Sequence, residues 1–215
     1  MKKKLTTGLM AFAAIAATLT PPVTATAAHR TAPAAQSGQV SGAPATTGSV
    51  TADGASTAPG RASHFMSQSR NLGLTAAQAR ALQTEAEANV ARTGGTQVAP
   101  NRIDLGGAIM TLAVPGEKYA RDLTQPRSTR ALASCAYGHM CAYKDRNYTG
   151  NTIDMLRCAD YRIPWLTRGS WINNQTRGTR ARFMSSDRVV RWTSPGAYSS
   201  DPNADWSWVH WVRNC

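Results

Sequence analysis

The first 134 residues of this 215-residue chain contain no cysteine; Cys135, Cys141, Cys158 and Cys215 all fall in the last 81. Any disulfide framework can therefore brace only the C-terminal part, which marks that part as the folded body. Acidic residues are also scarce, with 12 Asp+Glu against 24 Lys+Arg and a formal charge of +12. The basic groups are spread along the chain and form neither a stripe nor a nucleic-acid-binding motif, so nucleic acid is not an expected partner. A solvated, arginine-rich surface is expected, able at most to attract an anionic cell wall, membrane or acidic enzyme surface. No apolar run is long enough to span a bilayer, so no transmembrane segment is expected. Catalytic signatures are missing as well: there is no Gly-x-Ser-x-Gly, no His-Glu-x-x-His and no phosphate-cradling glycine loop. Asp154 and Asp160 read as turn formers or salt-bridge partners. No catalytic residue and no cofactor are assigned, and the chain is not expected to be an enzyme.

What is present begins with an export signal. Lys2, Lys3 and Lys4 precede an apolar stretch from Leu5 to Leu19, Pro21 and Pro22 follow, and Ala25-Thr26-Ala27 has the small-x-small form of a cleavage site. Residues 1–28 are therefore read as a signal peptide cleaved near Ala27 or Ala28, and the protein as secreted and extracellular. Its removal takes away three lysines and lowers the charge from +12 to +9. Residues 29–66, rich in Ala, Thr, Ser, Gly and Pro, carry too little aliphatic bulk to offset ordering entropy and are expected to form a disordered linker. Residues 67–130 are expected to hold a small helix and a β-hairpin. Thr75 and Gln78 have capping-box spacing, Ala79, Leu82, Ala86 and Val90 follow at helical intervals, and Gly94-Gly95 ends the run. Gly106-Gly107 then separates two short strand-like stretches. The segment's role, whether pro-segment, docking module or chaperone-like leader, is left open.

From residue 131 onward the pattern becomes short aromatic and β-branched stretches divided by turn formers, the mark of an all-β sandwich or barrel. Tyr143 stands seven residues before Gly150 with Tyr148 between them, as a folded hairpin corner requires. Ser170-Trp171-Ile172-Asn173 recurs 37 residues later as Ser207-Trp208-Val209-His210, and Tyr143 and Phe183 are placed as equivalents. A repeat of that length predicts two Greek keys packed face to face.

On three of these features the chain resembles the βγ-crystallin-like proteins, and within them the secreted actinobacterial, streptomycete-type metalloproteinase inhibitors (peptidase inhibitor family thirty-six). They are the Cys135-x5-Cys141 opening, the Tyr143-x6-Gly150 corner and the Ser-Trp-Ile-Asn strand at 170–173, and the resemblance spans about residues 133–215. It implies a βγ-crystallin-like double Greek-key sandwich over residues 131–215 and inhibition of an extracellular peptidase. Val190 stands where the second key would place its turn glycine. Arg168 stands where calcium-binding members supply oxygen ligands, so no calcium site is expected there. Four cysteines allow three pairings, of which Cys135–Cys141 with Cys158–Cys215 is favoured. Cys135, His139 and Cys141 form only half a zinc site, and no metal is expected. The loop from Cys158 to Ser170 is the candidate inhibitory element, with Tyr161, Arg162, Pro164 and Trp165 as partner contacts. Trp206, Trp208 and Trp211 read as core rings, or alternatively as a stacking platform for sugars. The rival function is a crystallin-like binding or antimicrobial (killer-toxin-like) module directed at the cell envelope or carbohydrate.

Overall fold

A computed structural model describes residues 58–125 and 134–215; the expected signal peptide and the linker up to residue 57 lie outside them. The described chain is mostly β-sheet, with two helices at its start. Helix α1 spans Ala58–Asn71, so the expected linker gives way to helix eight residues before its predicted end. Helix α2 spans Ala76–Thr93. The Thr75 hydroxyl accepts from the Gln78 N–H at 3.1 Å and the Gln78 carboxamide accepts from the Thr75 N–H at 3.0 Å. Each side chain thus satisfies a donor that helix geometry leaves open. Gly94 ends the helix at φ 74°.

Eleven strands follow among the described residues: β1 Thr96–Ala99, β2 Arg102–Asp104, β3 Ala108–Thr111, β4 His139–Asp145, β5 Thr149–Met155, β6 Asp160–Arg162, β7 Arg168–Asn174, β8 Arg182–Met184, β9 Val190–Thr193, β10 Ser199–Asp205 and β11 Trp211–Arg213. They form two antiparallel sheets, ordered β1-β2-β3-β5-β4-β7-β10 and β6-β11-β8-β9. Among the last eight strands, the third of each successive four pairs in the opposite sheet: β6 joins β11, and β10 joins β7. This exchange ties the two halves of the body together.

The N-terminal segment is continuous with that body. Strand β3 pairs with β5 over Ala108 to Thr111, so the sheet crosses the boundary expected near residue 131. Leu82 and Ala86 of α2, Ile103, Met110, Leu112, Met140, Ile153, Met155, Phe183, Trp206 and Val212 share one buried core. Sheet two is three strands shorter than sheet one, and α2 packs beside β6 against the first strands of sheet one. The helix covers apolar sheet surface that would otherwise face water.

One expectation about the repeat is corrected. Ser170 and Trp171 lie in β7, but Ser207 and Trp208 lie in the turn before β11, where the Val209 N–H donates to the Trp206 carbonyl at 3.1 Å. Tyr143 and Phe183 lie in β4 and β8, the first strand of each successive four, but Tyr143 packs with Cys141, Tyr148 and Ile172 in a small separate cluster whereas Phe183 sits in the main core. The likeness of four residues was local and did not extend to strand position. At the corner itself, Asn147 and Tyr148 take positive φ, Gly150 has φ 74°, and the Tyr148 ring stands edge-on to Tyr143 at 5.6 Å. The Ser170 hydroxyl accepts from the Tyr148 N–H at 2.8 Å and donates to the Asp145 carbonyl at 2.7 Å, closing the corner.

Candidate functional site

The disulfides join Cys135 to Cys141 and Cys158 to Cys215, the favoured pairing, and leave no free cysteine. Both thiols of the imagined zinc half-site are thereby consumed. His139 instead donates through Nδ1 to Asp154 Oδ1.

The second bridge anchors the start of the segment from Cys158 to Ser170. Beyond β6 the backbone is pinned twice, by the Ile163 N–H donating to the His210 carbonyl at 2.9 Å and the Trp206 N–H donating to the Thr167 carbonyl at 2.9 Å. Tyr161 is only 2 % exposed, and its hydroxyl donates to the Arg157 carbonyl at 2.7 Å. Burial raises its pKa above the ordinary phenol value. Trp165 is 6 % exposed and belongs to the main core. These two residues therefore hold the loop in place from below and are not surface contacts, a correction to the expected set. Alternation accounts for it: Arg162, between buried Tyr161 and Ile163, points away from the core, and Pro164 is half-buried. The residue that protrudes is Leu166, 58 % exposed and flanked by buried Trp165 and half-buried Thr167. Sequence reasoning passed over it because leucine next to tryptophan reads as core.

On the outer face of sheet two, Arg162 and Arg188 lie 5.6 Å and 3.9 Å from the ring of Trp211. Asp160 accepts from Arg213 at 2.6 Å and 3.1 Å and from Arg188 at 3.5 Å. Arg191 pairs with Asp187 at 3.3 Å. Arg182 lies opposite Arg213 across the β8–β11 register. Five arginines against two aspartates give this face a local positive surplus, with Trp211 as its flat centre.

A polar cleft of about 600 Å³ opens on sheet one, lined by Arg102, Asp104, Thr111, His139, Asp154 and Arg157 among others. Arg102 is held by Asp122 at 2.8 Å. Among the described residues no hydroxyl is hydrogen-bonded to His139. The pair His139–Asp154 was not foreseen, since only the alignment of Cys141 with Asp154 across β4 and β5 brings the two residues together.

Of the three C-terminal tryptophans, Trp206 is fully buried and donates through Nε1 to the Tyr143 carbonyl at 3.0 Å, while Trp208 is half-buried against the core. Neither forms an open platform with Trp211, which lies on the other side of sheet two. Trp192 is the tryptophan with open surface, 40 % exposed. No family model matches the chain, and no curated protein or solved structure matches it. Among the described residues no helix is long and apolar enough to cross a membrane.

Proposed function

We propose that the chain is an exported, non-enzymatic inhibitor of an extracellular metallopeptidase, built on two interleaved Greek keys in the manner of βγ-crystallins. The exchange of β6 and β10 between the sheets supports the Greek-key reading, since each key then lends its third strand to the other. The observation that carries the function is the pinned loop with Leu166 at its tip. An inhibitory loop must enter a cleft, present a side chain to a specificity pocket and stay ordered while doing so. Buried Trp165, the two backbone hydrogen bonds and the Cys158–Cys215 bridge hold this loop ordered before it binds, which lowers the entropy cost of association. Arg162 and Arg168 flank the tip and would meet an acidic enzyme rim. The metallopeptidase class follows from the family resemblance. In the test, the full chain is titrated against purified extracellular metallo- and serine peptidases. Inhibition of a metallopeptidase is expected, weakened at least tenfold by Leu166→Glu with the thermal midpoint unchanged. Inhibition indifferent to Leu166 would reject the loop, and no inhibition of any peptidase would reject the function.

The arginine face around Trp211 favours a second reading, a module that binds anionic cell envelope. Sedimentation with purified cell walls that weakens steeply with salt, without peptidase inhibition, would decide for it.

A further inference from the structure

The two sheets end, on one side of the sandwich, in strands that pair with only one neighbour: β9 with β8, and β10 with β7. A slot of about 190 Å³ lies between these two edges. Its floor is aromatic. The ring of Trp192 stands 4.9 Å from Phe183 at 72° and 5.7 Å from Trp171, and both of those rings are buried. Trp208 borders the slot and is half-buried. Asp201 and Asp205 of β10 line the opposite wall. Asp201 Oδ1 accepts from the Asn203 N–H at 2.8 Å, and its Oδ2 has no protein partner among the described residues.

We propose that this slot binds one ring of an uncharged saccharide. A pyranose offers a flat face of C–H groups to an indole and a rim of hydroxyls that donate to carboxylates, and the slot provides both surfaces within about 190 Å³. A purely apolar guest would strip water from Asp201 and Asp205 without replacing it. A phosphate polymer would be repelled by the same two carboxylates. A cationic guest meets opposition of its own, because Arg168 lies directly opposite Asp205 in the β7–β10 register. An uncharged polyol satisfies the carboxylates without meeting either objection. The Trp192 ring owes its fixed position to Phe183 and Trp171, so the platform is formed before the ligand arrives.

The slot adjoins the base of the Leu166 loop, since Trp206 lines the slot and donates to Thr167, but Trp192 and Asp201 lie outside that loop and the test does not depend on inhibition. The full chain is titrated with soluble hexaoses of β-linked N-acetylglucosamine, β-linked glucose, β-linked xylose and α-linked glucose, read by tryptophan fluorescence and by calorimetry. Saturable binding of at least one is expected, weakened about tenfold or more by Trp192→Ala, the loss of one aromatic stack. Asp201→Asn keeps the shape of the wall and should weaken binding severalfold, which separates a lost contact from a misfolded slot. Peptidase inhibition, if present, should be unchanged in both variants. Failure of all four hexaoses to bind, binding unaltered by both substitutions, or tighter binding of free arginine or choline would each overturn the proposal.

Discussion

Replacing Leu82 by alanine should destabilise the C-terminal body, although Leu82 lies 53 residues before Cys135. Leu82 is completely buried in the same core as Ile103, Met155, Phe183 and Trp206. Truncating such a leucine removes its transfer free energy and leaves a cavity, together about 3 kcal/mol. With a urea slope of about 2 kcal/mol per molar for a domain of this size, the unfolding midpoint should fall by about 1.5 M. The assay is selective because all six tryptophans, Trp165, Trp171, Trp192, Trp206, Trp208 and Trp211, lie in the body. Their fluorescence therefore reports nothing of α2 itself. In a single cooperative unit the fluorescence transition shifts with the circular-dichroism transition. An unshifted fluorescence midpoint, accompanied by a separate early loss of helix, would refute the shared core.

Three further outcomes follow from individual residues. Burial, aided by the charge of Asp154, raises the pKa of Tyr143, whose buried hydroxyl has no hydrogen-bond partner among the described residues. The folded state then holds the phenolic proton more tightly than the unfolded state, so stability is complete below about pH 10 and falls as pH rises further. Tyr143→Phe should flatten that fall in urea titrations at alkaline pH and cost little at neutral pH; a large loss at neutral pH would contradict it. Gly150→Ala forces a side chain to φ 74° and drives its Cβ into the Asp145 carboxylate, so it should cost about 1–3 kcal/mol by thermal denaturation. Replacing both Cys158 and Cys215 by serine opens a link across 57 residues and should cost about 4 kcal/mol, against about 2 kcal/mol for the six-residue separation of Cys135 and Cys141. Equal losses from the two pairs would count against the loop-closure account.

Local features were legible in the chain, as was the Cys158–Cys215 link, but the long-range strand pairings were not. The Thr75–Gln78 cap, the buried face of α2 and the Gly106-Gly107 turn depend on residues a few positions apart, and the structure contains each of them. Strand β10 was hidden because Asp201-Pro202-Asn203 reads as a turn. As an edge strand with a bulge between Asp201 and Ala204, it tolerates a proline that an inner strand would not. Strand β6 was hidden by its length of three residues after Cys158. The pairing of β3 with β5 joins residues about 45 apart, and no pattern in either strand announces the other. The site was legible in outline only. The loop and its bridge could be located, but which side chains face outward depends on burial against α2 and β11. Tyr161 and Trp165 were chosen for chemistry that suits a binding surface and equally suits a core. Leu166 and Trp192 carry no motif, and only the structure distinguishes them from the buried residues beside them.

The most direct test of the account is a titration of an extracellular metallopeptidase, held well above the dissociation constant, with the intact protein. The account predicts that residual activity falls linearly to near zero at about one inhibitor per enzyme, with the chain recovered uncleaved. Activity that persists at excess protein, or cleavage between Pro164 and Arg168 at the rate of an ordinary substrate, would contradict it.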